Sequence, residues 1–452
     1  MEVLPQLDGS DYVLEKLLMT YKMDGVSECF QLLCDKYLDY DYSISLVENL
    51  RKSILLNESI ASALSSSLQS AIHVCVEQQK TIQLVSLFLQ WLDDLQQRYP
   101  SPEIDRSALN VVLFCLHSYT TELLLFTPCI SILQRLVETT YVEKFSWRAE
   151  LLNTAEIFAT LCLFLRSNLN RSFIVTSSLS LLRDWILWEL PVLSSLSLQS
   201  EEESFRAFLQ CEDLNASSLS QFTTLLQSLL QHRRCAEDFV QGPLFSMLLQ
   251  LFSVRDSAII LVLIRFVESS LSNVTIRHAL LLSDLISILE SVTNLYPRHT
   301  DIATEVQQIL ISIIDEEVVA LYLIRSNVTT IFTTIFLAQS TDPQVLISSI
   351  RTLTHLCSCS SLIVDDLTHE QILFDAVETT QNHPLNESLW SAVLDLLYTV
   401  CQTPRGAEFV KTRRIATALH SCLSLLNNVP SLTTRVTTLL KGIVTPLSQE
   451  EL

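Results

Sequence analysis

Glycine is nearly missing from this chain: 452 residues contain five, at positions 9, 25, 242, 406 and 442, against an average usage of about 7%. Loops that cradle phosphates need several glycines close together, so the usual nucleotide-binding signatures are excluded. Cations are also scarce. Lys and Arg number 29 against 50 Asp and Glu, a formal charge of −21. No long basic cluster stands apart from that balance, so direct contact with nucleic acid is not expected. Long apolar runs are missing too. Hydrophobic residues make up 48% of the chain, but the longest runs, Ala258 to Ile264 and Val318 to Ile324, are seven residues, where a spanning helix needs about 20. No membrane span is expected. The start, Met1-Glu2-Val3-Leu4-Pro5, lacks a basic region followed by an apolar core, which predicts no secretory signal and an intracellular protein, cytoplasmic by default with the nucleus open.

Twelve cysteines are scattered through apolar patterns such as Phe114-Cys115-Leu116 and Leu161-Cys162-Leu163. They read as small core residues in a reducing compartment, not as a disulfide framework. Six Asn-x-Ser/Thr triplets begin at Asn57, Asn170, Asn215, Asn273, Asn327 and Asn386. Several stand where a helix is expected to start, a position that favours asparagine for its own reason.

What the chain has in abundance is helical periodicity, and in the second half it repeats. Apolar quartets at i, i+4, i+7 and i+11 occur as Ile260/Ile264/Val267/Leu271, Ile302/Val306/Ile309/Ile313, Leu346/Ile350/Leu353/Cys357, Leu389/Val393/Leu396/Val400 and Leu432/Val436/Leu439/Ile443. Their starts lie 42, 44, 43 and 43 residues apart. Each quartet is one face of a helix, and the interval is that of helical repeat arrays. Each unit divides into a short, a medium and a long helix: Cys235 to Gln241, Leu244 to Phe252 and Asp256 to Leu271 in the first, Gly406 to Lys411, Arg414 to Leu426 and Ser431 to Ile443 in the last. Pro297, Pro343, Pro384 and Pro430 precede long helices, where a fixed φ and a missing donor are tolerated. Asp342 is placed to cap one of them.

The first half is helical without a clean period. A polar arm and two short helices are expected before residue 42, then a long helix from Ile44 to Val76 and an amphipathic one from Thr81 to Tyr99, stopped by Pro100 and Pro102. Ser107 to Leu125, Cys129 to Val142, Trp147 to Leu165 and Ser172 to Leu190 follow, with Pro128 expected in a first turn. Ser194 to Glu203 is read as a flexible loop. The organisation expected is an irregular helical repeat region over 1–200, a loop and connecting helices over 201–234, five repeats over 235–445 and a tail over 446–452.

Ser340-Thr341-Asp342-Pro343-Gln344-Val345 with Ser349-Ile350-Arg351-Thr352-Leu353-Thr354-His355-Leu356 resembles the armadillo-repeat segment in which an Asp-Pro turn leads into a long helix. Phe239-Val240-Gln241-Gly242-Pro243-Leu244 similarly resembles the corner between that repeat's first two helices. The resemblance covers residues 235 to 445 and reaches a superfamily of armadillo and HEAT repeats. It implies an all-α, right-handed α-solenoid whose third helices line a concave binding face. A regular asparagine ladder is missing, and the corner glycine is replaced by Ser326-Asn327 in one unit and Lys411-Thr412 in another.

Nothing nominates an enzyme. His355, Cys357, Cys359 and His369 have the residue types of a zinc site without its spacing, and Cys357 belongs to a quartet. Asp93-Asp94, Asp365-Asp366 and Asp315-Glu316-Glu317 are adjacent carboxylates near helix ends, where solvation or the helix dipole explains them. Arg233-Arg234 and the Lys411/Arg413/Arg414 group are short solvated corners. No cofactor or metal is expected. The function expected is a scaffold or adaptor binding a protein partner, possibly a basic segment given the acidic surface, along its third helices; Arg265, Gln307, Arg351, Asp395 and Arg435 are the candidate contact residues. An obligate subunit of a larger nuclear or cytoplasmic complex, or an α-helical enzyme with a pocket hidden from sequence, are the alternatives.

Overall fold

A computed structural model describes residues 47–48, 51, 58–77, 82–138, 147–152, 155–186, 198–314, 317–326, 328–339, 341–369, 371–383, 386–425 and 430–444. The arm and short helices expected before residue 42, Asp315, Glu316, Asn327, Pro384 and the tail fall outside them. Among the described residues every regular element is helical, and the helices pack on one another as repeats in layers. The chain forms two compact units, Met1–Leu244 and Phe245–Leu452.

The first unit contains α1 (Glu58–Glu77), α2 (Ile82–Arg98), α3 (Pro102–Ser118), α4 (Leu123–Glu138), the short α5 (Trp147–Leu152), α6 (Ala155–Ser167), α7 (Ser172–Ile186), α8 (Leu198–Leu209), α9 (Ala216–Leu230) and α10 (Arg233–Gln241). They pack as two alternating layers, α1, α3, α6, α8 and α10 in one and α2, α4, α7 and α9 in the other. This is a two-helix repeat. Within the first layer the helices start 44, 53, 43 and 35 residues apart, so the layering is regular in space while its interval in sequence is not.

Two expectations are corrected in this unit. Pro128 lies inside α4, not in a first turn. Proline removes the bond that residue 128 would donate to the carbonyl of Leu124, and that carbonyl instead accepts from Ser86 Oγ of α2 at 3.0 Å. The Ser-rich stretch expected as a loop is largely α8, because Phe205 and Phe208 are buried and Phe205 meets Phe158 and Phe222 edge to face. Glu203 is exposed and lies 2.8 Å from Arg166.

The second unit continues from α11 (Pro243–Gln250) through α12 (Ser257–Ser270), α13 (Val274–Leu282), α14 (Leu285–Leu295), α15 (Thr300–Ile313), α16 (Glu317–Arg325), α17 (Val328–Ala338), α18 (Pro343–Cys359), α19 (Ser361–His369), α20 (Ile372–Gln381), α21 (Glu387–Val400), α22 (Pro404–Val410), α23 (Arg413–Leu425) and α24 (Pro430–Val444). Every third helix packs on its counterpart: α12, α15, α18, α21 and α24 stack in one layer, α14, α17, α20 and α23 in another, and α16, α19 and α22 in a third. The quartets are what they stack with. Every described quartet side chain from Ile260 to Leu439 is buried.

The helix starts are written locally. Asp256, Asn273, Asp342 and Asn386 each cap a helix, their side chains accepting the first free backbone N–H groups, and Asn215 does the same in the first unit. Three of the six Asn-x-Ser/Thr triplets are therefore capping sites. Pro343 and Pro430 are the first residues of α18 and α24. Among the described residues no single helix is long and apolar enough to cross a membrane; one pair, Val319–Arg325 with Val328–Ala338, reaches that composition but is bent by 67°.

Candidate protein-binding face

The third helices are tied to one another by polar rungs. Numbering from the first residue of each quartet, a side chain five or six positions on meets the side chain three positions on in the next repeat. Arg265 Nε donates to Glu305 Oε1 at 2.8 Å. Gln307 Nε2 donates to Ser349 Oγ. Arg435 reaches back to Asp395 with one nitrogen and to Ser391 Oγ with another at 3.0 Å. Arg351 occupies the same position, but the residue three positions into the next quartet is Ala392, buried and without an acceptor. Arg351 is exposed and has no ion-pair partner among the described residues.

The five nominated residues therefore have three different fates. Arg265, Asp395 and Arg435 lie toward the surface and are engaged in rungs, and Arg351 is exposed with no ion-pair partner among the described residues. Gln307 is corrected: it is 0% exposed, so it offers nothing to a partner. It shares its register with Arg265, but its mate is the small Ser349, whose hydroxyl is itself turned to the carbonyl of Val345 at 2.9 Å. The amide fills the space between α15 and α18.

A surface hollow of about 390 Å³ lies between α21 and α24, lined by Asp395, Tyr398, Gln402, Thr434, Arg435 and Thr438 among others. Tyr398 is 48% exposed, a rigid, amphipathic side chain of the kind that anchors interfaces. The threonines make no demand on a ligand, since Thr434 and Thr438 donate to Pro430 O and Thr434 O in their own helix. A continuous second hollow of about 430 Å³ runs along α24 to Lys441.

The other chemistry-bearing residues are used structurally. Asp93 accepts from Ser131 at 2.9 Å and lies 3.1 Å from Arg135; burial is the largest influence on its carboxyl and pushes its pKa up. Asp94 meets Arg51 at 2.6 Å, and Asp365 is 3.6 Å from Arg405. Neighbouring helices take up these carboxylates, not solvent alone. Cys357 is buried and its thiol is pushed up to about 12 by desolvation; Cys359 donates to the carbonyls of His355 and Ile314. Cys115 is likewise pushed up to about 12, so neither thiol is a ready nucleophile. Among the described residues no group of three His, Cys, Asp or Glu is placed to hold a metal ion. Arg233 pairs with Glu237 one turn on at 2.8 Å, and Trp185 is buried against Phe158.

Sequence reasoning missed two features. Arg148 and Asp105 form a buried ion pair within the first unit, and no spacing rule joins residues on separate helices. Large apolar side chains are also exposed away from the third helices: Val274 and Leu282 on α13, Tyr322 on α16, Leu337 on α17 and Leu362 on α19. Leu282 is 89% exposed. In the sequence they are indistinguishable from the core residues beside them.

No protein-family model matches the sequence. No curated protein matches it either. Solved structures similar to the chain include SYS-1, at 13% identity over 94% of this chain and 86% of that one with a TM-score of 0.45, and the SYS-1/POP-1 complex, at 12% identity over 94% and 85% with a TM-score of 0.46. Another comes from work on a phosphorylation switch controlling the interaction between cadherin and beta-catenin, at 14% identity over 96% and 100% with a TM-score of 0.42. At these scores the likenesses carry no argument of their own. The repeat architecture stands on the packing of every third helix.

Proposed function

We propose that this protein is a non-enzymatic scaffold or adaptor inside the cell, binding a protein segment across the exposed edge of its third helices. The observation that carries this reading is Arg351. The position that Arg265 and Gln307 fill in the two preceding third helices, each with a partner on the next, here carries an exposed guanidinium without an ion-pair partner among the described residues, and a carboxylate or carbonyl of a partner supplies the acceptor. The hollow beside Tyr398, between the next two helices of that layer, extends the same edge. An array of repeats provides a long surface without catalytic groups, and function then lies in what that surface recognises.

The test is photocrosslinking of the intact protein in its own cells, with the reactive amino acid at Ser358 on α18 or, as a control, at Asp366 on α19; both positions are exposed. A protein adduct is expected from position 358 alone, and it should disappear when Arg351→Glu is added without loss of helical circular dichroism. Adducts only from position 366, or an adduct at 358 indifferent to Arg351→Glu, would sink this reading. Arg435 is a poor choice for such a reversal, because its replacement breaks the rung to Asp395 and Ser391.

The exposed Leu282, Tyr322, Leu337 and Leu362 support a second reading, an obligate subunit of a larger assembly covered on its first and second helices. Leu282→Ser with Leu337→Ser should then shift the protein in cell extract to the sedimentation of a monomer. An unchanged profile would remove it.

A further inference from the structure

We propose that the segment bound along the third helices places a large apolar side chain in the hollow between α21 and α24, about five residues from the group that pairs with Arg351. This rests on the reading of that edge as protein-binding and adds what the edge selects. By residue type the hollow is polar, since threonines, an aspartate, an arginine, a glutamine and a tyrosine line it. Its hydrogen bonds make it apolar.

Thr399 donates to Asp395 O at 2.9 Å, Thr434 to Pro430 O at 2.8 Å and Thr438 to Thr434 O at 2.8 Å. A threonine hydroxyl turned onto the carbonyl four residues back leaves the methyl group for the surface. Arg435 is held by both terminal nitrogens, one on Ser391 Oγ at 3.0 Å and one on the Asp395 carboxylate, so neither charge is left for a ligand. What the hollow offers is methyl groups and the Tyr398 ring, 48% exposed. Two polar groups, the Tyr398 hydroxyl and the Gln402 amide, have no partner among the described residues. An apolar side chain with its own peptide groups uses all of these: the side chain covers the methyls and the ring, and the hydroxyl and amide meet the flanking backbone. The volume of about 390 Å³ falls within the roughly 300–1,000 Å³ of sites that hold small ligands. The pattern continues along α24, where Thr437 in the adjoining hollow donates to Thr433 O at 2.7 Å.

The spacing follows from the packing. The rungs set the fifth position after one quartet's start level with the third position of the next, so Arg351 stands level with Ala392. Tyr398 is six residues beyond Ala392, which is about 9 Å along the axis. Adjacent helices lie roughly 8–10 Å apart, and the hollow is on the far side of α21. The separation is on the order of 15 Å, or about five residues of extended chain.

The test uses the purified full chain and synthetic serine-based peptides of roughly nine residues, with a glutamate and a photoreactive benzoylphenylalanine about five positions apart in either chain order. Mass spectrometry should place the adduct of at least one order on residues 387–402 or 430–444. Tyr398→Ser should lower it severalfold. Thr434→Val with Thr438→Val, which keeps the methyls and removes the hydroxyls, should leave it at or above its original level, with circular dichroism as the check on folding. A peptide with tryptophan in place of the photoreactive residue should compete, and one with lysine or aspartate there should not. Loss of the adduct in the double threonine variant, or equal competition by the lysine or aspartate peptide, overturns the apolar anchor. Equal labelling by a peptide whose two residues are adjacent overturns the spacing. No adduct on those residues from either order overturns the whole inference, while the Arg351 edge is decided separately by the adduct at position 358 in cells.

Discussion

Asp105 and Arg148 show what a residue pair costs and contributes inside a helical repeat. Asp105 is 0% and Arg148 1% exposed; the guanidinium donates at 2.6 and 3.1 Å, Gln96 Nε2 at 3.0 Å and Trp147 Nε1 at 2.8 Å, so the carboxylate receives four donors. Desolvating both ions nearly offsets their attraction, but removing one strands the other. Asp105→Ala should therefore destabilise the first unit by about 3–5 kcal/mol in urea denaturation, while Asp105→Leu with Arg148→Met should recover most of that loss. Recovery failing in the double variant would show the pair to be net stabilising. Glu268 gives a prediction of the opposite sign. Its pKa is raised above the ordinary 4.5 in the folded protein, so the folded state binds its proton more tightly than the unfolded chain does. The resulting destabilisation is present at neutral pH and is relieved as pH falls through the raised value towards 4.5. Glu268→Gln should raise the Tm at pH 7 and flatten the dependence of Tm on pH between neutrality and 4.5; an unchanged slope would contradict the assignment.

At the scale of the element, the sequence is explicit about where helices begin. Asp342 caps α18 as its Asp-Pro turn predicts, donors being Gln344 N at 2.9 Å and Val345 N at 3.5 Å, because capping needs only residues adjacent in the chain. Gly406 is needed for a different reason. It lies in α22 directly against the end of α21, and a Cβ there would stand 1.8 Å from the Val400 carbonyl oxygen. Gly406→Ala should separate the two helices and cost about 1–3 kcal/mol, the usual range for overpacking, seen as a lower Tm with faster hydrogen exchange in α21 and α22. Exchange unaltered there would mean that the corner opens freely. Pro128 departs from its expected place for a complementary reason: its donorless nitrogen marks a first turn when only the local chain is considered, and the Ser86 hydroxyl that satisfies the freed Leu124 carbonyl comes from another helix.

Across the whole molecule, stability is a chain of neighbouring contacts between repeats. Leu396, 0% exposed, lies in the layer shared by α18, α21 and α24. Leu396→Asp would place an unpaired charge there and should expose the last three repeats to limited proteolysis together; cleavage confined to α21 would show that the repeats are energetically independent. By itself the sequence determined the helical class, the period of the second half, the inward quartets and most helix starts, since these depend on residues within a turn or two of one another. It did not reveal the two-layer order of the first unit, because α5 and unequal connections blur the interval while the packing stays regular. Nor did it reveal which of the five nominated side chains could meet a partner. Gln307 and Arg351 share one register, yet the first is buried with its amide on Ser349 of the neighbouring helix and the second is exposed.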